Sequence, residues 1–95
     1  KYINVCYGVS KIRSWALCKC VNLTDVVLPN SLKTISKGVF SNCSKLKKIK
    51  IPSQISCLSE YLFYDCVALK DVDLGSKLKY IEDFAFYNSH YQDGK

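Results

Sequence analysis

The chain has 95 residues, 48% of them hydrophobic, and a net charge of +6. That length suits one domain, and that apolar share excludes a disordered chain. No apolar run approaches the roughly 18 residues of a membrane span, and nothing at the N-terminus, Lys1-Tyr2-Ile3-Asn4-Val5, reads as an initiator methionine or a signal-peptide core. The chain therefore reads as a piece of a longer protein.

In chain order, one pattern returns every 23 residues: Phe40, Phe63 and Phe86 share the step, and so do Cys20, Cys43 and Cys66, and Leu23, Leu46 and Leu69. A fixed period in the twenties is the signature of stacked repeats, in which each unit buries its apolar columns against its neighbours. Residues 1–14 form a partial unit, with Ile3, Val5, Val9 and Ile12 in the columns of Val26, Leu28, Leu32 and Ile35. Full units follow at 15–37, 38–60 and 61–83. In the second of these, Leu46-x-x-Ile49-x-Ile51 alternates in the manner of a strand, with Ile49 and Ile51 on one face and Lys48 and Lys50 on the other. Pro52 ends the strand, as Pro29 does one unit earlier; Gly75 takes that place one unit later.

After the strand, Ile55-x-x-Leu58 predicts a turn or a short 3₁₀ or irregular segment, and Ser59–Tyr64 is too short for more than one helical turn. Asn42, Asp65 and Asn88 precede the cysteine column, where their side chains can bond local backbone in a turn. A partial unit occupies 84–89. The pattern then fails, with Ser89 in the cysteine column and Gln92 in the leucine column, so that 90–95 reads as a frayed tail. Strands from successive units are expected to pair in parallel. Without polar caps, the ends call for flanking repeats or for end-to-end packing between copies.

Charge follows the chain. Residues 1–50 carry ten basic residues and one acid, whereas 51–95 carry four basic residues and seven acids. A stack of such units has a basic end and an acidic end, a further reason to consider end-to-end self-association or an acidic partner. No nucleic-acid module surrounds the lysines.

Six cysteines would suggest three disulfides in a small secreted protein, but Cys20, Cys43 and Cys66 lie in one column of three, which cannot pair off completely. They read as buried thiols, although the spacing of paired strands does not by itself exclude a disulfide. Cys18-Lys19-Cys20 lacks a second pair at zinc-finger spacing, so no metal site is expected. The single histidine, His90, lies in the tail. With periodic cysteines buried and no phosphate loop, the chain shows no catalytic constellation and no cofactor motif.

The columns that change identity mark the candidate binding surface. The solvent side of the strands carries Asn4, then Asp25 and Val27, then Lys48 and Lys50, then Asp71 and Asp73. In register, Asp25, Lys48 and Asp71 form one row, and Val27, Lys50 and Asp73 the next. Such rows read either as a self-compensating charge ladder or as a polar recognition face. Lys45, Lys47, Lys48 and Lys50 make the densest basic segment and suit an acidic glycan or an acidic protein surface. Trp15, Tyr61 and Phe84, with Gly38 at the fourth position, and Tyr64 with Tyr87, form aromatic columns that read as partial core or as interface anchors. Asn22-Leu23-Thr24 and Asn42-Cys43-Ser44 match the glycosylation sequon.

The combined pattern Leu-x-x-Ile-x-Ile-Pro-x-x-Ile-x-x-Leu-x-x-x-x-Phe-x-x-Cys, running from Leu46 to Cys66, resembles the BspA-like (Treponema pallidum type) leucine-rich repeat of bacterial and protist surface proteins. The likeness covers residues 3 to 88. Val39 and Leu62 depart from the small residue that the family favours before its phenylalanine, which Ala85 keeps, and Leu17 replaces the aromatic in the first full unit. The resemblance implies a leucine-rich-repeat solenoid over 1–89. A short parallel sheet would line the concave face, with turns and short helical or 3₁₀ segments on the convex side. It also implies a role in adhesion or protein recognition, usually outside the cell. With no catalytic constellation, the chain is read as a non-catalytic protein-binding or adhesion module of a cell-surface or secreted protein, with a host or matrix protein as one option for the ligand. The alternative reading is a structural spacer, whose repeats only extend a larger ectodomain. The ligand itself depends on surface residues that the repeat does not dictate.

Overall fold

The computed structural model describes residues 1–91. Each coil contributes a three-residue strand and then a two-residue strand: β1 (Tyr2–Asn4), β2 (Lys11–Ile12), β3 (Asp25–Val27), β4 (Thr34–Ile35), β5 (Lys48–Lys50), β6 (Cys57–Leu58), β7 (Asp71–Asp73) and β8 (Tyr80–Ile81). All pairings are parallel and fall on the 23-residue step: β1 with β3, β2 with β4, β5 with β7 and β6 with β8. Alternation explains the three-residue strands. Val26 and Ile49 point inward and are buried, while Asp25, Val27, Lys48 and Lys50 flank them on the exposed side.

Two expectations need correction. The segment around Ile55-x-x-Leu58 contains a strand, β6, rather than only a turn. The neighbouring units place Thr34-Ile35 and Tyr80-Ile81 in its columns, residue types that suit an extended backbone. The segments read as short helical or 3₁₀ pieces, Ser59–Tyr64 among them, are turns, and no helix occurs among the described residues.

The parallel sheet is also interrupted at the middle of the stack, where β3 lies against β5 without forming a strand ladder. Between β4 and β6 a side chain replaces the backbone bond. The Ser59 hydroxyl donates to the Ile35 carbonyl at 2.8 Å, a position filled in the outer pairs by the amides of Ser36 (to Ile12) and Glu82 (to Leu58). The opposite edge is bonded throughout. Leu17 N–H donates to Val39, Phe40 to Leu62 and Phe63 to Ala85, so each phenylalanine segment hangs on the next by its backbone.

The core follows the columns. Leu23, Leu46 and Leu69 are buried, as are Ile35 with Leu58 and Phe40 with Phe63. The phenylalanine rings stack face to face, Phe40 on Phe63 at 5.5 Å and Phe63 on Phe86 at 5.3 Å between centroids. The two departures before them fit: Val39 and Leu62 are buried, as is the small Ala85 in the same column. Beside this ladder, Cys43 Sγ donates to the Leu17 carbonyl at 3.3 Å and Cys66 Sγ to the Phe40 carbonyl at 2.9 Å, each tying its coil to the preceding one. Ser89, which takes the cysteine's place in the last coil, donates instead to Phe86 within its own coil.

Left-handed backbone recurs in two columns. Lys19, Asn42, Asp65 and Asn88 have φ between 56° and 62°, which explains the Asn and Asp preference there, because short polar side chains tolerate that region best. Trp15, Gly38, Tyr61 and Phe84 have φ between 60° and 63°. Glycine is suited to this backbone, and at Gly38 it also makes room, because a Cβ would collide with the Trp15 ring. Tyr91, in the segment read as a frayed tail, is half-buried and packs on Phe86 at 4.7 Å. Gln92 and the rest of that segment lie outside the described residues.

Candidate functional site

The outward residues of β3, β5 and β7 line a depression of about 890 Å³ on the strand face. Six of the seven residues singled out from the sequence line it: Asp25, Val27, Lys48, Lys50, Asp71 and Asp73. Asn4 does not, although its strand β1 pairs with β3 and sets it opposite Val27. Tyr2, Lys70 and Tyr91 complete the rim. Tyr2 could have been found by extending the Asp25–Lys48–Asp71 row one unit backward, since it pairs in register with Asp25. Lys70 lies one residue before its strand, outside the alternation that defines the face. Tyr91 lies beyond the last repeat, where the period gives no signal.

Register sets opposite charges side by side, Lys48 against Asp71 and Lys50 against Asp73. Proximity does not become ion pairing. Among the described residues the one ion pair within 4.0 Å joins Lys37 to Glu60 at 3.4 Å, away from this face. Two carboxylates are held by local groups instead: Asp25 accepts from the Thr24 hydroxyl at 3.2 Å, and Asp73 accepts from the Gly75 amide at 3.2 Å. The face thus presents three carboxylates and three ammonium groups over an apolar floor of Val26, Ile49 and Val72. Such an arrangement can exchange charge-assisted hydrogen bonds with a ligand.

The aromatic columns form a second surface. Tyr61 stacks on Phe84 at 5.3 Å and Tyr64 on Tyr87 at 5.1 Å, while Trp15 bridges over Gly38 to reach Tyr61 at 6.1 Å. Trp15, Phe84 and Tyr87 are about half exposed, at 45%, 51% and 53%. Phe84 and Tyr87, in the last unit, each stack on a single ring along their column and meet each other edge-on at 5.8 Å.

The remaining candidates sort by environment. Asn42 is not a free sequon side chain: it accepts from the Ser41 hydroxyl at 2.9 Å and donates to Asp65 at 3.5 Å, and Asn88 donates to the same carboxylate at 3.0 Å. Asn22 is exposed in a turn. Lys45 and Lys47 are exposed, but only Lys48 and Lys50 of the basic segment reach the depression. All six cysteines are free thiols. Burial pushes the Cys43 and Cys66 thiols up to about 12, which keeps them protonated and unreactive. Cys57 is raised as well, by burial and then by Glu82. His90 is exposed, and no cluster of three metal-ligating side chains occurs among the described residues. No helix among them is long and apolar enough to cross a membrane.

Comparison with known proteins agrees with the repeat reading. A family model described as a BspA type Leucine rich repeat region (6 copies) matches residues 1–93. The curated proteins give no match. A solved leucine-rich repeat protein from Bacteroides ovatus is 35% identical, with a TM-score of 0.92 over 97% of this chain and 24% of its own. A leucine rich cell surface protein from Faecalibacterium prausnitzii is 29% identical, with a TM-score of 0.82 over 87% of this chain and 22% of its own. This chain therefore spans about a quarter of the length of either protein. The period, the parallel register, the stacked phenylalanines and the family match together show that the chain belongs to the BspA type leucine-rich repeat family.

Proposed function

We propose that the chain is a non-catalytic binding module of a cell-surface or secreted protein, a stretch of leucine-rich-repeat solenoid that recognises a protein ligand through its strand face. One observation carries the reading: Lys48 and Lys50 stand in register with Asp71 and Asp73 without forming an ion pair among the described residues, so the hydrogen-bonding capacity of both ammonium groups remains for a partner. A face serving only to hold the coils together would spend those charges on each other. The surface location draws support from the cell surface protein of Faecalibacterium prausnitzii that shares the fold.

The test is binding of the purified chain to a panel of immobilised extracellular-matrix proteins, beside a Lys48→Glu/Lys50→Glu double variant. Specific retention that the double variant loses, with an unchanged circular-dichroism spectrum, supports recognition by this face. Retention that the variant keeps moves the site elsewhere, with the exposed aromatic edge next in line. No retention on any of the proteins favours the spacer role.

A further inference from the structure

The two lysines at the centre of the strand face are not equivalent. Lys48 stands in a row of carboxylates, with Asp71 in register on β7 and Asp25 at the matching position of β3. Lys50 has a different setting. On the β3 side its row mate is Val27, an apolar side chain that is 46% exposed. On the β7 side its row mate is Asp73, whose Oδ1 is already engaged by the Gly75 amide. Lys50 takes part in no ion pair with the described residues. Of the two strand lysines it is the less compensated, and it lies beside Val27, the most exposed aliphatic side chain of β3, β5 and β7.

The whole face narrows the class of ligand. Asp25, Asp71 and Asp73 balance Lys48, Lys50 and Lys70, so the depression has no net charge to draw in a polyanion, and its carboxylates repel a chain that is acidic at every unit. A single carboxylate placed at Lys50 avoids that repulsion. An aliphatic group near it gains by covering Val27, and an apolar contact beside a charged hydrogen bond also excludes competing water. In an extended peptide, residues two apart point to the same side about 6–7 Å from each other, against about 4.8 Å between neighbouring strands, a difference that the long, flexible lysine side chain spans.

We infer that Lys50 and Val27 form the anchor for an extended segment of a partner protein carrying an acidic residue two positions from an aliphatic one. This rests on the strand-face reading proposed above. The carboxylate accepts from the Lys50 ammonium while the aliphatic side chain lies on Val27. Lys48, held among Asp25 and Asp71, contributes orientation more than affinity.

The experiment is selection of a random dodecapeptide phage library on the immobilised 95-residue chain, followed by fluorescence anisotropy with the winning peptides made synthetically. The expected winners carry an acid and an aliphatic residue at a spacing of two, and bind more weakly as salt rises. Lys50→Ala should weaken them about tenfold, the size of one lost hydrogen bond to a charged group. Lys48→Ala should weaken them by no more than about threefold. All the substituted side chains are solvent-exposed, and matching circular-dichroism spectra confirm that the variants fold. Winners without an acid that are lost on Val27→Arg would overturn this anchor and leave the strand-face reading standing. Winners indifferent to both Val27→Arg and Lys50→Ala would overturn both, as would a selection that enriches nothing. Tighter, Lys50-dependent binding of a polyuronate would overturn the protein partner in favour of an acidic glycan.

Discussion

The phenylalanine ladder and the charged rows of the strand face lie in the same coils and obey the same 23-residue step, yet only the ladder keeps its identity from unit to unit. Phe40, Phe63 and Phe86 stack at 5.3–5.5 Å, with Phe40 and Phe63 wholly buried. Asp25, Lys48 and Asp71 alternate in sign at positions that face solvent. A buried position sees the coil before it and the coil after it, so a change of shape is felt on both sides. An exposed strand position sees mostly water, and its side chain can be chosen for something other than the stack. Periodic identity therefore reports scaffold, and periodic position with changing identity reports available surface.

The sharpest way to break this comparison is to cut the ladder. Phe63→Ala removes a ring stacked on both sides and should cost about 3–5 kcal/mol, enough to unfold much of a domain this size. Thermal melting measures it, and a drop of only a few degrees would mean that the ladder is not the core. Gly38→Ala is expected to follow. The left-handed backbone costs an L-residue about 1–2 kcal/mol, and the new Cβ meets the Trp15 ring. Trp15→Ala in the same chain should recover the steric part, visible as a double-mutant cycle in melting temperature.

The buried thiols give a pH test. Cys43 and Cys66 are raised to about 12 in the folded chain, against an ordinary value near 9.0. The unfolded chain thus releases these protons first, so stability should fall as pH rises above about 9 toward 12. Below that range the two thiols make stability independent of pH. Urea titrations across this range should show a shallower fall for the Cys43→Ala/Cys66→Ala double variant, and native-state labelling at pH 8 should spare both thiols. Equal slopes for the two chains would remove the linkage.

Asn42→Ala is smaller, about 1 kcal/mol, because the left-handed turn and the Asp65 bond are both affected. Asn42→Gly should recover the backbone part. Smallest is Lys48→Ala, which should move stability by no more than about 0.5 kcal/mol, because the side chain is exposed and forms no ion pair with the described residues. A larger loss would turn the rows back into a stabilising ladder and weaken the contrast with the core.

Much of this was legible residue by residue. The Leu, Ile, Phe and Cys columns could be read because burial in a repeat demands the same shape at the same step, and the parallel register followed from the step itself. Six of the residues lining the strand-face depression were legible because alternation assigns a side to each. Tyr91 was not, since its packing on Phe86 lies beyond the period. The strand at Cys57–Leu58 was also missed, because two extended residues joined only through a parallel neighbour have no local signature.

By itself the sequence determined the family, the 23-residue step and the inward columns, because these depend on a period that any stack must satisfy. The tertiary structure decided how the outward groups are spent. Asp73 spends one oxygen on the Gly75 amide, Lys50 forms no ion pair among the described residues, and Trp15 covers Gly38 across a left-handed turn that both share. Those outcomes rest on distances of a few ångströms between coils, which spacing along the chain does not encode.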